Sequence, residues 1–148
     1  MRLRRLFVVL AASIAALLVG ATSASAASGT AARDLPSFLG CPTLNQSLSV
    51  YGDSISGTSQ APLVWNNNVC DGINIIQALY VVDTATNSVV YNSGPRQAYG
   101  TQVQTNLNFT LSPTQYVQLN SVFSRGGSST PTYVAYVYAN GSVGYATA

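Results

Sequence analysis

The sequence predicts a mainly β chain folded as a single antiparallel domain. Apolar residues recur with period two through most of its length, and compact polar turns separate its β-branched runs. Behind an export-type leader the chain has 122 residues, enough for one core and too few for two.

The clearest alternation spans residues 101–111. Val103, Leu107, Phe109 and Leu111 alternate there with Gln102, Gln104, Asn106, Asn108 and Thr110, the pattern of a strand with one wet face. Residues 44–50 repeat it through Leu44, Leu48 and Val50, and residues 63–65 read as a short strand before the second cysteine. Residues 73–82 are apolar on both faces through Ile73, Ile75, Ile76, Leu79, Val81 and Val82, which suits a central strand covered on each side for part of its length.

Residues 83–87 form a polar turn between two β-branched runs, so residues 80–91 should be a hairpin. Residues 131–139 read as another strand. Asn140-Gly141 is the strongest hairpin turn in the chain, and residues 142–147 should return antiparallel to that strand.

One segment departs from period two. Ser112-Pro113-Thr114-Gln115 has capping-box spacing with Pro at the first helical position, and Tyr116, Leu119, Val122 and Phe123 follow on a helical stripe that Gly126 would end. The pattern favours one short connecting helix around residues 113–124 over its rival, a strand carrying Val117, Leu119 and Phe123. The expected architecture is an antiparallel β-sandwich of six to eight strands, immunoglobulin-like or similar.

Arg2, Arg4 and Arg5, an apolar run over residues 6–19 and the small residues ending in Ala24-Ser25-Ala26 predict a secretory signal peptide over residues 1–26. The apolar run is shorter than the ~20 residues a membrane span needs. The mature chain is therefore expected to be secreted and extracellular, with no membrane attachment after cleavage. Arg4-Arg5-Leu6-Phe7-Val8 resembles the core of a twin-arginine export signal, but Leu3 stands where Ser or Thr is usual, which favours the general route. Residues 27–40, small, polar and aperiodic, should be a flexible tail, and residues 41–148 the β-rich domain.

From Ala27 onward there is no His, Lys or Glu. The charged side chains that remain are Asp34, Asp53, Asp71 and Asp83 against Arg33, Arg96 and Arg125, so the net charge of +2 for the whole chain becomes −1 once Arg2, Arg4 and Arg5 are removed. Three scattered Arg cannot neutralise a phosphate backbone, so no nucleic acid partner is expected. Without His, and with sparse carboxylates, no metal or other cofactor is expected either. Cys41 and Cys70, the only cysteines, should form a disulfide in an oxidising space.

Val50-Tyr51-Gly52-Asp53-Ser54-Ile55-Ser56 resembles the nucleophile block of the GDSL-type esterases, which would make Ser54 the nucleophile. That chemistry requires a base, a His near the C-terminus in that family, and this chain has none, so the block reads as a polar loop. The 11 residues from Tyr80 to Val90 look like one hairpin of the surface-protein propellers. No copy recurs, so only a turn type carries over. Paired-carboxylate catalysis is disfavoured because Asp53, Asp71 and Asp83 sit in turn-like contexts, where Asp bonds its own backbone. The expectation is that the protein is not an enzyme.

What is unusual is nine Tyr and many Asn, Gln, Ser and Thr among hardly any charges. Aromatic rings with amide neighbours suit sugar rings. Candidate binding residues are Trp65, Tyr91, Tyr99, Tyr136 and Tyr138, with Tyr136 and Tyr138 on one face of their strand and Tyr133 on the other. Trp65, near Cys70, also suits a core position against the disulfide. The first expectation is a non-catalytic binding module for cell-wall or environmental glycans or for an extracellular protein. The alternatives are a self-assembling surface protein and a secreted inhibitor or toxin acting through the loops at residues 93–97 or 125–131.

Overall fold

A computed structural model describes residues 27–61, 70 and 72–148. Every regular element among them is a strand: β1 (Gly29–Leu35), β2 (Leu44–Tyr51), β3 (Ser54–Gln60), β4 (Asn74–Asp83), β5 (Ser88–Asn92), β6 (Arg96–Tyr99), β7 (Gln102–Asn108), β8 (Gln115–Arg125), β9 (Ser128–Ser129), β10 (Tyr133–Tyr138) and β11 (Val143–Thr147). A four-stranded sheet in the order β1-β2-β3-β7 packs on a seven-stranded sheet, β11-β10-β8-β4-β5, in which β6 also pairs with β4 and β9 with β8. All pairings are antiparallel.

Both expected hairpins are present. Residues 84–87 turn with Asn87 at φ +51°, and Asp83 accepts from the Ala85 N–H at 2.9 Å, so the turn Asp supports its own backbone. At the second hairpin Gly141 takes φ +82°, which a residue with a Cβ rarely adopts, and Asn140 accepts from the Ser142 N–H at 2.9 Å.

The described residues hold eleven strands rather than six to eight, and two further expectations are corrected. Residues 113–124 are not a helix but lie largely within β8, the strand between β4 and β10. The capping-box residues do interact: Gln115 N–H donates to the Ser112 carbonyl at 2.9 Å, and Gln115 Oε1 accepts from Ser112 N–H at 3.0 Å. These bonds close a turn that launches a strand. Strand geometry sends Val117, Leu119, Ser121 and Phe123 inward together, whereas a helix would have split them, and two ladders satisfy the backbone. The expected tail over residues 27–40 contains β1, which pairs with β2 along its whole length from Gly29↔Val50 to Leu35↔Leu44 and buries Ala31 and Leu35. Small residues hide that alternation in the sequence. Residues 1–26, expected to be a signal peptide, the expected strand at residues 63–65, and Trp65 lie outside the described residues.

The core has two apolar clusters. One gathers Leu48, Val50, Ile55, Leu79, Val117 and Leu119, and the other Leu44, Ile73, Ile75, Val103, Phe123 and Tyr133. Between them a polar layer crosses both sheets, with one residue each from six strands: Arg33, Gln46, Ser59, Gln77, Thr105 and Ser121. Cys41 and Cys70 are bonded, with their Cα atoms 4.9 Å apart, and lie in the second cluster. The bond ties the segment before β2 to the segment before β4, and hence one sheet to the other.

Candidate functional site

The two sheets bury each other's inner faces, and the outer face of the seven-stranded sheet is turned away from the four-stranded one. Antiparallel register fixes what it displays. Tyr138 stands opposite Tyr116, which stands opposite Val82, and in the next row Tyr136, Gln118 and Tyr80 are cross-strand neighbours. Val134, Asn120 and Ala78 follow in the third row, where Val134 and Ala78 are buried and the face is no longer open. Four tyrosines thus lie on three adjacent strands around an amide pair, Gln118 and Asn120, whose side chains bond each other at 2.7 Å.

The rings touch. Tyr116 meets Tyr136 edge to face with centroids 5.8 Å apart, and Tyr138 tilted at 5.3 Å, contacts worth ~0.5–1.5 kcal/mol each beyond area burial. Tyr138 is 40% exposed, while Tyr80, Tyr116 and Tyr136 are half-buried. Burial, and then the neighbouring Tyr136 and Tyr138 hydroxyls, hold the Tyr116 phenol above the ordinary tyrosine range, so Tyr116 stays neutral at physiological pH. None of the residues that the register places on this face is charged.

Of the expected binding residues, Tyr136 and Tyr138 come together here. Tyr99 is on the same face, opposite Asn74, 73% exposed and about 20 Å along β4 from Tyr80, so it is not part of the cluster. Tyr91 does not belong to this face: it pairs with Val81 and packs against the first core cluster. Tyr80, Tyr116, Gln118 and Asn120 complete the site, and the expected helix hid three of them. Reading Val117, Leu119 and Phe123 as a strand would have set Tyr116 and Gln118 beside β10.

Comparison of the chain with protein-family models, with curated proteins and with solved structures gives no match.

The esterase-like block is a hairpin. Gly52 and Asp53 link β2 to β3, with Gly52 at φ +59° as a two-residue turn led by Gly requires, and Ser54 faces Tyr51 on the exposed side of the four-stranded sheet. Among the described residues no three His, Cys, Asp or Glu side chains gather. The loop at residues 93–97 is tied to the sheet, since the Ser93 hydroxyl accepts from Leu79 N–H at 2.9 Å, and Arg125 donates to the Leu39 carbonyl at 3.0 Å.

Proposed function

We propose that the protein is a small secreted, non-catalytic binding module that holds a glycan against the outer face of the seven-stranded sheet. One observation carries the reading: Tyr80, Tyr116, Tyr136 and Tyr138 frame Gln118 and Asn120 on one open, uncharged sheet face. Tyrosine rings present apolar area with a polar rim at low entropy cost, which matches the C–H face and hydroxyl edge of a pyranose. Amides both donate and accept, as sugar hydroxyls do. An open face suits an extended polymer better than a small molecule, which needs a concave pocket.

The test is depletion from solution by insoluble polysaccharides and by a cell-wall fraction, at low salt and at 1 M salt. At 1 M the screening length is only ~3 Å, so retention through rings and amides persists. The double variant Tyr136→Ala with Tyr138→Ala should lose it while its circular dichroism stays unchanged. Retention that salt abolishes, or that survives the double variant, would refute the proposal.

A further inference from the structure

We propose that two copies of this chain pair through β11, edge to edge and antiparallel, joining their seven-stranded sheets into one. This rests on backbone geometry and is independent of the glycan reading.

Among the described residues β11 has a strand neighbour on one side only, β10. Thr132 and Ala148 exchange both backbone hydrogen bonds, at 2.8 and 2.9 Å, and the Tyr138 N–H donates to Ser142 at 2.9 Å. The register between them runs Val134↔Ala146 and Tyr136↔Gly144. Antiparallel pairing alternates, so the even-numbered residues of β11 spend their N–H and C=O groups on β10 and those of Val143, Tyr145 and Thr147 point outward. Each outward residue offers one donor and one acceptor.

Such an edge normally carries a charge, a proline or a bulge that stops a second strand from joining. The other edges have such a device or a neighbour: β1 carries Arg33 and Asp34 and runs into Pro36, β6 follows Pro95 and carries Arg96, β5 is bent by the bulge beside Val82, and β7 lies against β6. β11 reads Val-Gly-Tyr-Ala-Thr, with no charge, proline or bulge.

The occupant follows from the pattern of outward groups. A twofold axis at Tyr145 sets that residue opposite its own copy and Val143 opposite Thr147 of the second copy. All outward N–H and C=O groups of the three residues then pair, and the interface closes on itself as a twofold requires. Tyr145 lies on the inner side of the sheet, its hydroxyl on the Ala32 carbonyl at 2.9 Å and the Arg33 guanidinium 4.9 Å from its ring centroid, so it stays in place when the copies meet. The chain is only 7% charged, and the charge the pairing brings toward the axis is the Arg33 guanidinium over each Tyr145 ring. The paired sheets would carry two tyrosine clusters on one continuous face.

Sedimentation across a dilution series of the full mature chain is the test. Wild type should show a concentration-dependent dimer. Val143→Lys with Thr147→Lys sets Lys against Lys at both outer pairs and should weaken the dimer roughly tenfold or more. Val143→Lys with Thr147→Glu sets opposite charges face to face and should restore it at low salt. Both positions are exposed, so the variants should fold, which circular dichroism checks. A wild type that is monomeric at every concentration, a dimer indifferent to the two lysines, or a lysine–glutamate variant that fails to recover would overturn the proposal.

Discussion

Gln46 and Gln77 cross the sandwich in opposite directions. Gln46, on β2, donates from Nε2 to the Leu119 and Tyr133 carbonyls at 3.0 Å and to Ser121 Oγ at 2.9 Å, all on the facing sheet. Gln77, on β4, donates from Nε2 to the Gly57 carbonyl and Thr105 Oγ1, both at 2.9 Å, on the other. Each is 1% exposed, and together they fix how the sheets register across the polar layer. Their other ends differ, since Gln46 Oε1 accepts from Arg33 Nε at 3.3 Å whereas Gln77 Oε1 is buried without a partner among the described residues. Removing the fully bonded amide should therefore cost more. Gln46→Leu is expected to destabilise by about 2 kcal/mol and Gln77→Leu by under about 1 kcal/mol in urea unfolding, because the second change also removes an unsatisfied acceptor.

The close approach of the sheets at Gly57 should make that position intolerant. A Cβ there would lie 2.8 Å from Leu119 Cδ1 and 3.4 Å from Leu79 Cδ1, and both leucines are fully buried. Gly57→Ala is expected to cost about 1–3 kcal/mol through overpacking, with a lowered urea midpoint and an unchanged slope.

Reduction of Cys41–Cys70 frees a loop with a sequence separation of 29 residues. The chain-entropy model places the loss at about 3–4 kcal/mol, a large part of a small domain's stability. Thermal unfolding with and without reductant measures it, and a thiol assay on the native protein should find no free thiol.

Alkaline pH should weaken the fold through Tyr116. Its folded value is raised by burial and by Tyr136 and Tyr138, so the protonated phenol is favoured in the folded state. That contribution is complete below the unfolded tyrosine value of about 10 and is lost as pH rises through the folded value. Stability should fall above about pH 10, and Tyr116→Phe should flatten the fall. An identical pH dependence in the variant would contradict this assignment.

Ser54→Ala should leave both stability and any activity unchanged. Ser54 is exposed at the start of β3, and from Ala27 onward the chain has no His, Lys or Glu to take its proton. Loss of ester hydrolysis in that variant is the outcome that would reverse this expectation.

Much of the fold is legible in the chain because alternation and turn chemistry are local. Leu44, Leu48 and Val50 alternate on β2, Val103 and Leu107 on β7, and Asn140-Gly141 makes the turn it predicts. β1 was not legible, since Ala31 and Leu35 flank an Arg and the pattern appears only once Arg33 is seen donating to the Val134 and Ala146 carbonyls. The inward polar residues Gln46, Ser59, Gln77 and Thr105 likewise break each strand's apolar run and weaken the signal that reveals it.

The sequence by itself determined that the chain is β-rich, that its two cysteines suit one bridge, and that from Ala27 onward it has few groups for acid–base chemistry. Those properties belong to residue types and to spacings of two. Only the tertiary structure decided the fate of residues 115–125, where helical and strand periods compete locally and the ladders to β4 and β10 select the strand. The same ladders decided the site. Tyr80, Tyr116 and Tyr136 are far apart in the chain, and cross-strand register alone brings their rings onto one face, because a shift of one residue would turn any of them into the core.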